Sequence, residues 1–333
     1  NAEVKGTNAG TYNMELKPSD FTNNNGNFKN VEFKIVDGTL TINKRSVTLT
    51  SEGGSKVYDG KPLTKPNVTG GEGFVAGEVT DIKATGSVTT VSEGKVKNEI
   101  TFTEGENFKA DNYTIEKDEG ELWITETTAE VVVTITEHSG TETYDGTEHK
   151  VTGYDVTSIS NPLYKEGDFT FSGNAEVKGT NAGTYNMELK PSDFTNNNAN
   201  FAEVKFVIVD GSLTISPRSV TLTSASASKT YDGKPLTNDT VAVGGDGFVD
   251  DEGATYKVTG SQTVVGKSDN TFTYTLNDGT KATNYNIELA LGKLEVTPVT
   301  EEVIVTITGR TDEMPYDGKE HSVFGYDLTV SNA

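Results

Sequence analysis

The sequence predicts an all-β chain, built as an elongated array of tandem β-sandwich domains. Three observations predict it. Residues 1–50 and 174–223 align without a gap at an offset of 173, with 42 of 50 positions identical. Such self-similarity is the signature of a repeat architecture. Apolar residues alternate with period two, as in Ser46-Val47-Thr48-Leu49-Thr50 and in the β-branched runs Val131–Thr136 and Val303–Thr308, which is the spacing of strands. Gly-containing turn signals recur every ten residues or so, the punctuation of a sandwich or barrel. No stretch carries apolar residues at i, i+3, i+4 and i+7 over three helical turns.

Two unit types, A and B, alternate along the chain. Residues 1–42 read as the C-terminal half of an A-type repeat, ending in Gly38-Thr39-Leu40-Thr41-Ile42. Residues 43–125 are a B-type repeat. It opens with Arg45–Thr50 and closes with Asn112-Tyr113-Thr114-Ile115 through Leu122-Trp123-Ile124-Thr125. Residues 126–216 are a complete A-type repeat, opening at 131–136 and closing with Val204–Ile215. In that closing segment, Asp210-Gly211 is expected to turn or bulge a ribbon. Residues 217–297 repeat the B pattern, and 298–333 repeat the first part of A. The two end pieces together make one A unit lacking about eleven residues, the counterpart of Leu163–Gly173. Each half alone would expose a sheet edge. The chain therefore reads as a window on a longer array, and pairing of the ends between molecules into a head-to-tail fibre is the sharper alternative. The links, such as Ile215-Ser216-Pro217-Arg218, are short and not Gly/Ser-rich, which favours semi-rigid joints.

A turn punctuates every unit that contains its opening part: Tyr58-Asp59-Gly60, Tyr144-Asp145-Gly146, Tyr231-Asp232-Gly233 and Tyr316-Asp317-Gly318. Gly supplies positive φ and Asp bonds the turn backbone. Tyr buries a ring while its hydroxyl finds water or a partner.

Tyr-Asp-Gly-Lys-Pro-Leu-Thr at 58–64 and 231–237, Ala9-Gly10-Thr11-Tyr12 and Ala182-Gly183-Thr184-Tyr185, and the Gly-x-Leu-x-Ile closings resemble the bacterial YDG/MBG-type tandem-repeat domains. The resemblance covers nearly the whole chain and is less close in the A units, where Thr-Glu-His at 147–149 and Lys-Glu-His at 319–321 follow the turn. It implies immunoglobulin-like sandwiches in large adhesin-like proteins of the bacterial cell surface, hence an extracellular location and no catalytic activity.

Composition narrows the chemistry. Cysteine is absent, which excludes disulfides, thiolate metal sites and thiol nucleophiles. The net charge of -22, from 50 acidic and 28 basic residues, argues against nucleic acid and anionic bilayers. No apolar run approaches the roughly 20 residues of a membrane span. His138, His149 and His321 are scattered and form no zinc pattern, and no nucleophile elbow frames a catalytic serine. No cofactor is expected. The oxygen-rich loops Asp250-Asp251-Glu252-Gly253 and Asn277-Asp278-Gly279 are the candidate calcium ligands. Lys56 with Asn112, and Lys229 with Asn284, are the candidate isopeptide pairs. Trp123, whose counterpart is Glu295, should be exposed or interfacial.

The function expected from these features is a structural stalk or fibre segment that spaces a distal adhesive domain from the cell. Its partners would be neighbouring repeats and other copies end to end. The alternative is repeats that themselves bind a host glycan or extracellular matrix protein multivalently.

Overall fold

The computed structural model describes residues 2–331 and is all-β. Among those residues the helical elements are three-residue 3-10 turns. The outermost residues of the two partial repeats, Asn1, Asn332 and Ala333, lie outside the described residues. The chain forms two compact units. One comprises Asn1–Glu137, Gly153–Ala175 and Glu188–Asp210; the other comprises His138–Thr152, Glu176–Met187 and Gly211–Ala333. Residues of the complete A-type repeat thus contribute to both.

In the first unit, the strand Arg45–Ser51 buries Val47 and Leu49 and turns its intervening threonines outward. It lies between Tyr113–Asp118, to which it is parallel, and Val68–Gly70, to which it is antiparallel. The antiparallel pair Val79–Ala84 and Ile100–Glu104 faces it. Val47, Leu49, Ile100 and Tyr113 form the core between them, with Phe74, Phe102 and Phe108 packed alongside. Burying a leucine fully stabilises by roughly 1.5–3 kcal/mol, so each such position matters in a unit this small.

Beyond Glu52-Gly53 the opening strand resumes as Gly54–Val57, parallel to Glu121–Thr125, which carries Val96–Lys97 on its other edge. Val88, Leu122 and Ile124 make a second small core with Tyr58 and Leu63. The first and last strands of the repeat therefore run side by side through two small sandwiches. Where both cross from one sheet to the next, their backbones nearly touch. A Cβ on Gly120 would sit 2.4 Å from the Gly53 nitrogen, so only glycine fits at 120.

The first unit also holds Val131–Glu137, buried at every second position, between Tyr154–Ile159 (antiparallel) and Val204–Val209 (parallel). Phe169, Phe194 and Phe206 pack ring to ring, with centroids 5.2–5.9 Å apart. Gly10–Asn13 and Thr39–Ile42 form a two-stranded sheet.

The second unit repeats the pattern. Arg218–Ser224 lies between Val241–Gly245 and Tyr285–Ala290, and Ala227–Thr230 lies parallel to Lys293–Thr297. Val220, Leu222, Leu294 and Val296 are buried. Gly140–Thr143 runs parallel to Ser212–Ser216, whose other edge takes Gly183–Asn186. The hairpin Val305–Gly309/Tyr326–Val330 is exposed throughout.

One expectation needs correction. The segment closing the A repeat is not a ribbon folded at Asp210-Gly211. Val204–Val209 pairs with Val131–Thr136, and Ser212–Ser216 pairs with Gly140–Thr143. Hydrophobic alternation reports which face is buried, and it is silent on the partner strand.

Candidate functional site

The Tyr-Asp-Gly turns are built as their residue types demand. Gly60, Gly146, Gly233 and Gly318 have φ of 75°, 83°, 74° and 74°. In each turn the aspartate Oδ1 accepts the backbone N–H two residues on: Lys61 to Asp59 at 2.9 Å, Thr147 to Asp145 at 2.8 Å, Lys234 to Asp232 at 3.0 Å and Lys319 to Asp317 at 3.1 Å. A second donor then separates the two repeat types. In B it is a lysine from the preceding strand: Lys56 on Asp59 at 2.6 Å and Lys229 on Asp232 at 2.7 Å. In A it is the histidine four residues on: His149 on Asp145 at 2.9 Å and His321 on Asp317 at 2.8 Å. The departure of the A units from the B pattern after the turn is thus a change of donor to the same carboxylate.

These bonds hold three of the carboxylates, Asp59, Asp145 and Asp232, below their ordinary range. Asp145 falls to about 2, chiefly through the Thr147 hydroxyl and N–H and then through His149. Asp59 and Asp232 are lowered by Lys56 and Lys229 first, and by the backbone at Lys61 and Lys234 next.

The structure does not bring Lys56 to Asn112 or Lys229 to Asn284. Asn112 precedes Tyr113, which pairs with Arg45. Lys56 lies eleven positions beyond Arg45 in the chain, past the break at Glu52-Gly53, up to roughly 36 Å at about 3.3 Å per residue. The asparagines have a different task. Asn112 Oδ1 accepts the Ala9 N–H at 2.8 Å, and its amide donates to Asn8 Oδ1 at 3.3 Å. Asn284, 1% exposed, does the same with Ala182 at 2.9 Å and Asn181 at 3.1 Å. Each B repeat thus grips the preceding A-type segment through one asparagine.

Two of the turn tyrosines, Tyr58 and Tyr144, also lie at joints between repeats. The main chains of three turn tyrosines donate to the end of their own repeat's last strand: Tyr58 to Thr125, Tyr144 to Ser216 and Tyr231 to Thr297, all at 2.9 Å. The Tyr58 ring meets Phe201 edge-on at 5.5 Å, and Tyr144 meets Tyr285 at 5.5 Å. The Tyr144 hydroxyl donates to Glu252 Oε1 at 2.5 Å. Burial first, and the Glu252 bond second, push the Tyr144 hydroxyl above its ordinary range. Glu252, read from sequence as a calcium candidate, thus engages a tyrosine. Among the described residues no group of three or more His, Cys, Asp and Glu side chains is placed to hold a metal ion. His138 Nδ1 lies 2.8 Å from the Thr152 carbonyl. Trp123 is half-buried, with Lys95 over its ring at 5.0 Å. At the equivalent positions of the second B repeat, Lys267 pairs with Glu295 at 3.2 Å.

Sequence reasoning missed a buried polar knot at the strand crossover. Ser51 Oγ donates to the Asn98 carbonyl at 2.6 Å and accepts the Gly120 N–H at 3.1 Å. The Asn98 amide, fully buried, donates to the Glu52 and Lys65 carbonyls at 3.0 and 2.8 Å. Ser224 and Asn270 repeat the arrangement. In the A repeat Glu137, also buried, accepts the Leu189 N–H at 2.6 Å. The recurrence of Ser and Asn at matched positions was the available signal. It satisfies the backbone groups that a strand changing sheets leaves unpaired.

Residues 131–217 match the MBG domain family. No curated protein matches the chain. Among solved structures, a tandem from titin is 10% identical and covers 78% of this chain and 98% of its own, at a TM-score of 0.16.

Proposed function

Starting from the MBG domain at residues 131–217, we propose that this chain is a spacer segment of an extracellular bacterial surface protein, holding a distal adhesive domain away from the cell. The observation that carries this reading is the repeated joint. Asn112 and Asn284 clasp the same Asn-Ala pair of the preceding A-type segment, at Asn8-Ala9 and Asn181-Ala182. What recurs along the array is a device for joining repeats. Part-buried hydrogen bonds at the joints resist bending, and the partners of each repeat are its neighbours.

Single-molecule pulling tests this. Three force-resisting events are expected, one per whole repeat, each releasing 80–90 residues and thus roughly 290 Å of chain at about 3.4 Å per residue. Extension without discrete events would overturn the reading. Reproducible binding of the full chain to arrayed mucin glycans or matrix proteins would replace the spacer with a multivalent binder.

A further inference from the structure

The joint from the first B repeat into the A repeat and the joint from that A repeat into the second B repeat share one plan and differ in chemistry. We propose that the two joints are not interchangeable: the outgoing face of an A repeat fits only a B repeat, and that of a B repeat fits only an A repeat. The alternation of the array is then written into its joints.

The shared plan is an asparagine followed by an aromatic ring. Asn200-Phe201 receives the first B repeat, and Asn284-Tyr285 receives the complete A repeat. Asn200 Oδ1 accepts the Val91 N–H at 2.8 Å, and Asn284 Oδ1 accepts the Ala182 N–H at 2.9 Å. In both joints the receiving ring meets the turn tyrosine edge-on at 5.5 Å, Phe201 against Tyr58 and Tyr285 against Tyr144. The turn glycine lies against one aliphatic side chain in each. A Cβ on Gly60 would sit 2.9 Å from Leu163, and one on Gly146 would sit 3.5 Å from Val249.

The polar groups are what differ. Behind each receiving ring stands a second ring, Tyr164 at 5.2 Å from Phe201 and Phe248 at 4.9 Å from Tyr285. The hydroxyl has changed places between them. In the A repeat it is on the inner ring and donates to Asn196 Oδ1 at 3.0 Å; in the B repeat it is on the joint ring and accepts the Val249 N–H at 3.1 Å. The loop carboxylate changes with it. Asp168 and Glu252 close the same backbone turn, their N–H groups donating to the Lys165 and Val249 carbonyls. The shorter Asp168 bends back to accept the Lys165 N–H at 2.7 Å, while the longer Glu252 reaches the Tyr144 hydroxyl. The outgoing faces match. Tyr144 is 3% exposed and requires the acceptor that Glu252 supplies, while Tyr58 is half-buried and can leave its hydroxyl to water. Asn181, which precedes Ala182, accepts the Asn284 amide at 3.1 Å and Lys281 at 3.2 Å. Thr90, which precedes Val91, turns its hydroxyl to Glu93 of its own repeat at 3.0 Å. An A face on an A socket would bury a phenol without an acceptor, and a B face on a B socket would strand the Asn284 amide. Unpaired buried polar groups let a site reject a partner of nearly the right shape.

The inference rests on the joined repeats of the spacer reading, but it fails separately: three pulling events from a chain with interchangeable sockets would leave the spacer standing. The test is amide hydrogen exchange on the 333-residue chain. Ala182 reports the A-to-B joint and Val91 the B-to-A joint, because each N–H is released when its asparagine lets go. Glu252→Leu gives the B socket a hydrocarbon where the phenol arrives, and should speed exchange at Ala182 roughly tenfold, as one orphaned buried hydroxyl does. Adding Tyr144→Phe removes that hydroxyl and should return exchange to within about threefold of wild type. Asn181→Thr copies the residue that precedes Val91 and should also speed exchange at Ala182 roughly tenfold. Tyr58→Phe should leave exchange at Val91 within about twofold of wild type. Unchanged protection within Arg218–Ser224 shows that the receiving repeat stays folded. If Glu252→Leu lowers it, Glu252→Gln, which keeps a neutral acceptor, and Asn181→Thr decide the matter: unchanged Ala182 exchange in both overturns the proposal. So does Glu252→Leu without effect at Ala182, absence of rescue by Tyr144→Phe, or a Tyr58→Phe that loosens Val91 as much as Glu252→Leu loosens Ala182.

Discussion

The complete A-type repeat and the two partial ones carry nearly the same residues in opposite environments. Ile135 is fully buried and its counterpart Ile307 is 64% exposed; Phe201 is 2% exposed and its counterpart Phe28 is 62% exposed. Val133 and Val305 differ in the same way. Residues 204–209 form a strand, while the equivalent 31–36, sharing Val31, Phe33, Ile35 and Val36, form none. Alternation gives a segment the capacity to be a strand. The strand forms where the partner that buries its apolar face is present, because most of its stability comes from packing and cross-strand pairs rather than from intrinsic propensity.

The comparison is most easily broken at Phe201. Its ring contacts both Tyr58 and Tyr164, so Phe201→Ala should cost about 3–5 kcal/mol, while Phe28→Ala should change stability by less than about 0.5 kcal/mol. Equal effects in chemical denaturation would mean that Phe28 is buried in solution. Next comes Ile135→Ala, expected to cost about 2–5 kcal/mol and read as lost hydrogen-exchange protection along 131–137. Ile307→Ala should leave exchange in its own hairpin nearly unchanged. Tyr144→Phe removes one hydroxyl from Glu252 and should cost about 1–3 kcal/mol, whereas Tyr316→Phe in monomeric chain should cost nothing measurable.

The smallest effect lies in the turn. Asp145 titrates at about 2 in the folded chain against an ordinary 3.8. A depressed carboxylate stabilises the folded state above its unfolded pKa, and that contribution disappears as pH falls through its folded pKa. The stability difference between wild type and Asp145→Asn should therefore be constant above pH 4 and shrink between pH 4 and about 2. A difference that grows on acidification would contradict the assigned hydrogen bonds.

Much of this was legible beforehand. Val131–Thr136 declared its buried face through alternation, and each Tyr-Asp-Gly declared a turn, because both depend on neighbours within a few residues. The parallel partnership of first and last strands was not legible, since it joins residues such as Arg45 and Tyr113 that local pattern cannot relate. The same gap led to pairing Lys56 with Asn112 as cross-link candidates. Asn98 looks like a loop residue between Lys97 and Glu99, and only the crossover of the opening strand makes its side chain a buried partner of three backbone groups, the Gly86 N–H and the Glu52 and Lys65 carbonyls. The fate of the turn tyrosine was half legible. Its motif predicts a buried ring with a bonded hydroxyl; Tyr144 obeys, while Tyr231 is 44% exposed.

The side-by-side first and last strands carry a mechanical consequence. In the first B repeat the ladder runs through Arg45–Thr50 with Tyr113–Asp118 and through Gly54–Val57 with Leu122–Thr125, all parallel. Tension enters at the start of one strand and leaves at the end of the other. It slides the two strands past each other along their length, so the rungs share the strain at once instead of opening in succession like a zip. A repeat loaded in shear yields abruptly at high force, and its yield point depends on how many rungs are in register.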